Sequence, residues 1–526
     1  MMEKQCSMNY FQGNMNLLKN KKTGEVFFLI LSAFVILMLA SRSSFLYPCN
    51  NWDDANSYFS VGKALFNGKM PYRDVFDQKG MYLYFLYGLA YLVSHTTFLG
   101  VFLLEIILAT AGLLGIFRIL QLYVKRKTAL LLAPVTLAAA FCSKSFYWGG
   151  SAEEVCYPFL IWGLYLSLAY FKNDYPQKEM NRKTLFTGGI LAGIAANIKF
   201  TVLGLFFAWM MCAAFAFLVR KDFWGAVKAC LIFLLGMAIP FVPWLIYFGV
   251  QNGLYEWYFG YVYVNVFAYS NLNTEGPGLY ERVYTLAKLL YWLIRDNFVY
   301  FVFVIAGCLW NICGRKRKLL ERFNLLALCF FLFLGIYVGG SDLPYYSLPL
   351  SIFTALGIAF VGKALEWTAD RLQRHQGMSG GLMSGRAGLS RGMLFSLAVC
   401  AGMVWSQSMN IPFMSEKRED LFLYQFKEIV EETENPTLLN ISCLDAGLYT
   451  VCDIVPTCRW FQTQTIHLDD VLKDQEQYIR EGRTDYIIAR NEYPDVIWES
   501  YELAAQAPWH QGDLEFTFYL FRLKNS

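Results

Sequence analysis

Apolar residues fill long runs from Val26 to about residue 410, and polar residues are confined to the short stretches between them. A run must reach about 20 residues to cross the roughly 30 Å hydrocarbon core as a helix. Runs near that length lie at 26–40, 98–122, 128–142, 152–171, 185–199, 201–219, 228–249, 295–313, 321–339, 344–363 and 392–410. They predict a mostly α, polytopic membrane body of about eleven spans, a count that moves by two if another short run crosses. The segment 81–94 is too short to span comfortably and is expected to lie along the outer surface. Beyond residue 413 the pattern changes. Strand-like runs at 437–442, 485–489 and 515–523 flank a helix-like stretch at 468–481, which predicts a small C-terminal α/β domain. The expected division is a membrane domain, 1–413, and a C-terminal domain, 414–526.

Composition agrees. The 526-residue chain is 56% hydrophobic and 16% charged, whereas soluble domains carry about a quarter charged residues. An ordinary cytosolic enzyme is excluded. The net charge of +4 hides a division, with 35 basic and 20 acidic residues up to residue 413 against 10 and 21 after it. The acidic tail argues against nucleic acid as a partner. Lys and Arg cluster at 125–127, 172–183, 220–221, 315–318 and 363–391, which places those loops in the cytoplasm. The segments 43–97, 143–151, 250–294, 340–344, a tight turn near 200 and the tail are then outside. Lys4, Lys19, Lys21 and Lys22 precede the first run, which reads as a signal anchor with its N-terminus inside. The expected location is the plasma membrane, with the C-terminal domain extracytoplasmic. Of thirteen cysteines, Cys49, Cys443, Cys452 and Cys458 fall outside, as a disulfide framework or as free buried thiols. No GxGxxG, GxxxxGK[ST] or metal-type CxxC spacing is present, so nucleotide-driven transport is not expected.

Charge is dense in one place, the first outer loop. It runs from Asn51-Trp52-Asp53-Asp54 through Gly68-Lys69-Met70-Pro71-Tyr72-Arg73-Asp74 to Asp77-Gln78-Lys79-Gly80. Asp53 and Asp54 open a predicted helix whose apolar stripe, Tyr58, Val61, Leu65 and Phe66, is expected to face the membrane surface. One aspartate suffices for an N-cap; two beside an apolar helix point to a site. The order Asp-Asp, apolar-aromatic helix, Gly-x-x-Pro-Tyr-x-Asp, Asp-x-Lys-Gly resembles the first outer loop of the GT-C glycosyltransferases. Within them it is most similar to the branch of the protein O-mannosyltransferases and the lipid A aminoarabinose transferase. The resemblance spans about residues 26–361 and leaves the tail uncovered. It implies a GT-C-type fold and a catalytic base at Asp53 or Asp54, with Asp53 the first candidate. Where the family often has Lys-Pro-Pro, this chain has Lys79-Gly80-Met81.

Other outer polar groups join the candidate list. Glu153 and Glu154 open a predicted span where the resemblance implies a second acidic site, with Asp53 and Glu153 as candidate ligands of a divalent cation. Lys199 lies at a turn between two runs, either snorkelling or aimed at a lipid phosphate. The aromatic loop 251–282 reads as an interfacial belt or as sugar-stacking faces. Asp342, Tyr345 and Tyr346 occupy a turn resembling the family's polar outer turn before a late span. Glu105 is an intramembrane carboxyl without an assignable role, and Arg118, thirteen residues on, is not its expected partner.

The expected function is transfer of a sugar from a polyprenyl-phosphate donor to a glycan, lipid or protein acceptor of the envelope. An outer-loop Asp is the general base, and the substrate-binding candidates are Asp77, Lys79, Glu153, Glu154, Lys199, Asp342, Tyr345 and Tyr346. Such a donor carries its own leaving group, so no organic cofactor is required. The rivals are a lipid-linked-sugar flippase or transporter, which favours ionisable groups near the midplane, and a surface-polysaccharide polymerase.

Overall fold

The computed structural model describes residues 23–268, 278–314, 317–339, 342–376, 386–466, 468–511 and 514–524. The lysines before Thr23, together with Tyr269, Arg315, Lys316, Gly340 and Ser341, lie outside those ranges. Helices run in the order α1 (Thr23–Ala40), α2 (Asp53–Phe66), α3 (Met81–Tyr91), α4 (Leu99–Gln121), α5 (Arg126–Phe141), α6 (Ala152–Ala169), α7 (Arg182–Ala196), α8 (Gly204–Val219), α9 (Phe223–Ala238) and α10 (Val242–Val250). Then follow α11 (Leu279–Asp296), α12 (Phe298–Cys313), α13 (Leu319–Tyr337), α14 (Thr354–Gln376), α15 (Arg386–Gln407), α16 (Phe422–Val430) and α17 (Asp469–Arg480).

Eight helical stretches among the described residues are long and apolar enough to cross a membrane, or nine if α11 and α12, bent by 113°, count as one. This is a multi-pass membrane protein. The sequence reading of eleven spans also includes α5 and α7, which have 16 and 15 residues and so extend about 24 and 22 Å. Both pack inside the bundle, α5 against α4, α14 and α15, and α7 against α6 and α9. Helix α3, with 11 residues, is about 16 Å long and is not among the candidate spans. Helix α11 falls in what the sequence reads as an outer loop. Its Tyr280, Tyr284 and Tyr291 are exposed, and Arg295 lies 3.9 Å over the Trp292 ring, an amphipathic arrangement suited to a membrane–water boundary.

Helix α2 is buried on both sides, which corrects the expectation of a helix resting on the membrane surface. Its apolar stripe turns toward α3, with Tyr58 edge-on to Tyr87 at 5.6 Å. Gly62 permits that approach, since a Cβ there would stand 2.6 Å from the Gly88 nitrogen. The opposite face carries Asn56, Ser57, Ser60 and Lys63 at helical spacing, and every one of them bonds to the C-terminal region. Thr450 donates to Asn56 at 2.8 Å, Ser57 to Gln462 at 2.6 Å and Ser60 to Asp445 at 2.5 Å. Buried Lys63 pairs with Asp453 at 2.9 Å.

The C-terminal region holds a four-stranded sheet of β1 (Leu438–Ile441), β2 (Tyr486–Arg490), β3 (Tyr501–Gln511) and β4 (Leu514–Leu523), ordered β1-β2-β4-β3. The β1–β2 pair is parallel and the others antiparallel. Helix α17 connects the parallel pair, as such a crossover requires, and α16 packs Phe422 on Phe518 at 4.0 Å. Sequence reading finds β1, β2, β4 and α17 but not β3, which holds Pro508 at an edge of the sheet where a missing donor is tolerated. All described cysteines are free, including Cys49, Cys443, Cys452 and Cys458.

Candidate active site

The tandem aspartates do not cap their helix. Trp52 is the N-cap of α2 and makes no side-chain capping bond, which leaves both carboxylates for other partners. Nη1 of Arg490, at the end of β2, donates to Asp53 Oδ2 at 2.7 Å. Burial pushes the Asp53 carboxyl above its ordinary value, and Arg490 opposes that rise. Asp54 points elsewhere and accepts the Tyr345 hydroxyl at 2.5 Å. Neighbours in sequence thus serve two surroundings, one toward the tail and one toward the membrane helices.

The lysines come together through the residue that departs from the family pattern. Gly80 N–H donates to the Ile198 carbonyl at 3.2 Å, and the Asn197 carbonyl accepts from Tyr82 N–H at 3.1 Å. A Cβ on Gly80 would stand 2.0 Å from that Asn197 oxygen, so only glycine permits the contact. Proline would also lose the donated bond. This backbone junction sets Lys79 next to Lys199. Lys79 sits 5.9 Å from the Tyr58 ring centroid and Lys199 3.7 Å from that of Tyr346. Lys199 forms a buried ion pair with Glu153. Burial acts to lower the Lys79 pKa, but Asp54 and Asp77 more than offset it and hold the ammonium above its ordinary value. Asp77 is buried and raised by that burial, and it accepts the Tyr84 hydroxyl at 2.8 Å.

Two cavities of opposite character meet at the Tyr345–Tyr346 pair. A cleft of about 440 Å³ lies between the membrane body and the C-terminal region, lined by Asp53, Asp54, Tyr345, Arg490 and Glu492 with an aromatic wall of Trp52, Tyr147, Trp148 and Trp509. Tyr147 stacks on Trp148 at 5.4 Å and is held at φ 58°, a conformation that bulky residues rarely adopt without functional cause. The second cavity, about 250 Å³, is lined by Lys79, Lys199, Tyr346, Asn265 and apolar side chains such as Ile198, Phe200, Ile336 and Val338.

Asp53, Asp54, Asp77, Lys79, Glu153, Lys199, Tyr345 and Tyr346 therefore belong to one connected arrangement. Two expected members do not. Asp342 is exposed and lines neither cavity. Glu154 turns away: it accepts Gly150 N–H at 2.8 Å, while the Glu105 carboxyl takes the Ser41 hydroxyl at 2.9 Å. Glu105 thereby gains the partner that its own helix does not supply. Arg490 and the aromatic wall are absent from the sequence-based list, although an arginine ending the apolar strand Tyr-Ile-Ile-Ala is a local signal. In the aromatic loop, Tyr255, Phe259, Tyr263 and Phe267 form an outward ladder, while Tyr261 is buried and stacks on Phe200 at 4.5 Å. Asp53 and Glu153, the expected cation ligands, each face a cation of the chain itself. Among the described residues no group of three or more His, Cys, Asp or Glu could hold a metal. The donor set does not fit a resident divalent ion.

No protein-family model matches the chain, and no curated protein sequence does. Solved structures do. The chain is similar to ArnT from Cupriavidus metallidurans bound to undecaprenyl phosphate at 14% identity and a TM-score of 0.58, covering 94% of this chain and 97% of that one. Against the apo state the identity and score are the same, with coverage of 95% and 98%. The Archaeoglobus fulgidus oligosaccharyltransferase aligns at 14% identity over 88% of this chain and 68% of its own, with a TM-score of 0.48. Likeness to ArnT along nearly the whole of both chains is likeness of fold, and the chain shares the fold of that protein.

Proposed function

We propose that this protein is a membrane glycosyltransferase that moves a sugar from a polyprenyl-phosphate donor to a hydroxyl of an envelope acceptor, inverting the anomeric centre. The observation that carries the reading is the meeting of a polar cleft and a lysine-bearing apolar cavity at the Asp54–Tyr345–Tyr346 junction. ArnT was solved with undecaprenyl phosphate, and the apolar cavity is assigned the same class of ligand here. Lys79 and Lys199 face the donor phosphate and stabilise the negative charge that grows on it as the bond to the anomeric carbon breaks. The acceptor enters by the polar cleft. Its oxygen forms the new bond to carbon while Asp54 takes its proton. We assign the base to Asp54 before Asp53, because Asp54 lies in the field of Lys79 while Asp53 is engaged by Arg490. One displacement with one base inverts the centre. In this reading the N-terminus is cytoplasmic, and residues 414–526 form an extracytoplasmic domain that completes the acceptor cleft.

The test is purified protein in nanodiscs with radiolabelled polyprenyl-phosphate sugars and envelope extract. Label passing to extract material in the native chain, and not in Asp54→Asn, is the expected result. Movement of intact lipid-linked sugar across the bilayer without transfer would instead establish a flippase.

A further inference from the structure

A third cavity, about 160 Å³, shares no lining residue with either cleft and lies beside the end of α1 and the start of α4. Its polar lining includes Arg42, Ser43, Ser44, Asn50, Thr97 and Arg418. Arg42 is only 1% exposed, held between the rings of Trp148 and Phe413 at 4.2 and 4.3 Å. Among the described residues its ion-pair partner is Glu416, which stands at 3.6 Å and is partly exposed. Nε and Nη1 of Arg42 have no hydrogen-bond partner among the described residues. A guanidinium cannot shed its proton, and buried donors left unmade carry a desolvation penalty. Two arginines against one glutamate leave the cavity with an excess positive charge.

One side of the cavity is apolar. Phe45 and Leu99 line it and are 59% and 41% exposed, and Leu103 and Ile107 continue the strip along α4 at 43% and 66%. Positions 99, 103 and 107 are four apart and share one helix face. We propose that this cavity binds the phosphate head group of a bilayer lipid, whose acyl chain lies along Leu99, Leu103 and Ile107. Arg42 and Arg418 take the phosphate oxygens. The cavity is also lined by Leu423 and Tyr424 of α16, so a bound lipid would join the C-terminal region to the membrane body.

The delipidated protein in detergent is titrated with dihexanoyl phosphatidylglycerol, inorganic phosphate and dihexanoylglycerol, and binding is read by native mass spectrometry and thermal unfolding. The lipid phosphate is expected to bind and raise the unfolding temperature, inorganic phosphate to bind at least tenfold more weakly, and the phosphate-free lipid to do neither. Arg418→Gln, at an exposed position, weakens binding about tenfold, and Arg42→Gln abolishes it. The Lys79→Gln chain still binds, which separates this cavity from the proposed donor site. Inorganic phosphate binding as tightly as the lipid would overturn the lipid assignment. Undiminished lipid binding in Arg418→Gln, or no binding by the native chain, would overturn the site, even if Arg42→Gln does not fold.

Discussion

Asp53→Asn and Asp54→Asn, adjacent and chemically identical substitutions, are predicted to fail in different ways. Asp54→Asn removes the proposed base without disturbing the Arg490 contact. Loss of a positioned general base lowers turnover about 10²–10⁴-fold, roughly 3–5 kcal/mol of transition-state stabilisation, with thermal stability near that of the native chain. Asp53→Asn instead leaves Arg490 without its anion. The pair is 2.7 Å apart and each side chain is 25% exposed, between exposed pairs at about 0.2–1 kcal/mol and buried pairs whose breakage costs about 3–5 kcal/mol. A stability loss of about 1–2 kcal/mol follows, with turnover reduced less than in Asp54→Asn. A double-mutant cycle with Arg490→Gln should recover a coupling of that size. The assay pairs single-turnover transfer of radiolabelled sugar in nanodiscs with thermal unfolding of the same samples. If Asp54→Asn keeps more than about a tenth of its turnover while Asp53→Asn loses a hundredfold, the assignment of the base is wrong.

Gly80→Ala should displace the Lys79 backbone from the 197–199 turn, with a stability loss of about 1–3 kcal/mol and a raised KM for donor, measured by unfolding and donor titration. Lys199→Gln leaves Glu153 buried and uncompensated, a loss of about 3–5 kcal/mol. Adding Glu153→Gln should restore the unfolding temperature but not donor binding; restoration of both would remove Lys199 from the site. Asp445 is buried, with its carboxyl pushed up to about 6 by that burial against the donors Ser60 and Gly447. Its folded pKa exceeds the unfolded value near 3.9, so its contribution to stability is complete below about pH 4 and is lost as pH rises through about 6. At about 1.36 kcal/mol per pH unit the loss is roughly 3 kcal/mol. Asp445→Asn should flatten that slope, and equal pH dependence in both chains between about pH 4 and pH 7.5 would contradict it.

Much of the membrane body is legible because bilayer solvent imposes one rule, apolar length, and charges stand out against it. Asp53, Asp54, Lys79, Glu153 and Lys199 stand out in the sequence because they are rare charges at helix ends. Their division of labour was not legible. Asp53 and Asp54 share a sequence context and part company only when Arg490, 437 residues from Asp53, approaches one of them. The aromatic wall joins Trp52, Trp148 and Trp509 from three distant segments, and no local periodicity encodes that meeting. Local misreadings have local causes. Strand β3 carries Ala504-Ala505-Gln506-Ala507-Pro508, a composition with little strand propensity, while α11 interleaves Glu281, Arg282, Lys288 and Arg295 with aromatics and looks polar enough to be a loop.

Helix α2 opens with Asp53 and Asp54 and spends its next turns holding Asp445, Asp453, Thr450 and Gln462 of the C-terminal region. The tail is therefore a poor unit for transplantation. A chimera that exchanged residues 414–526 for those of another chain of this fold would strip Ser57, Ser60 and Lys63 of their partners across a buried seam. It would also tilt the helix that aims Asp54. If the proposed transfer activity holds, moving it to a new acceptor calls for exchanging the outer face of α2 together with the tail, as a single hereditary unit.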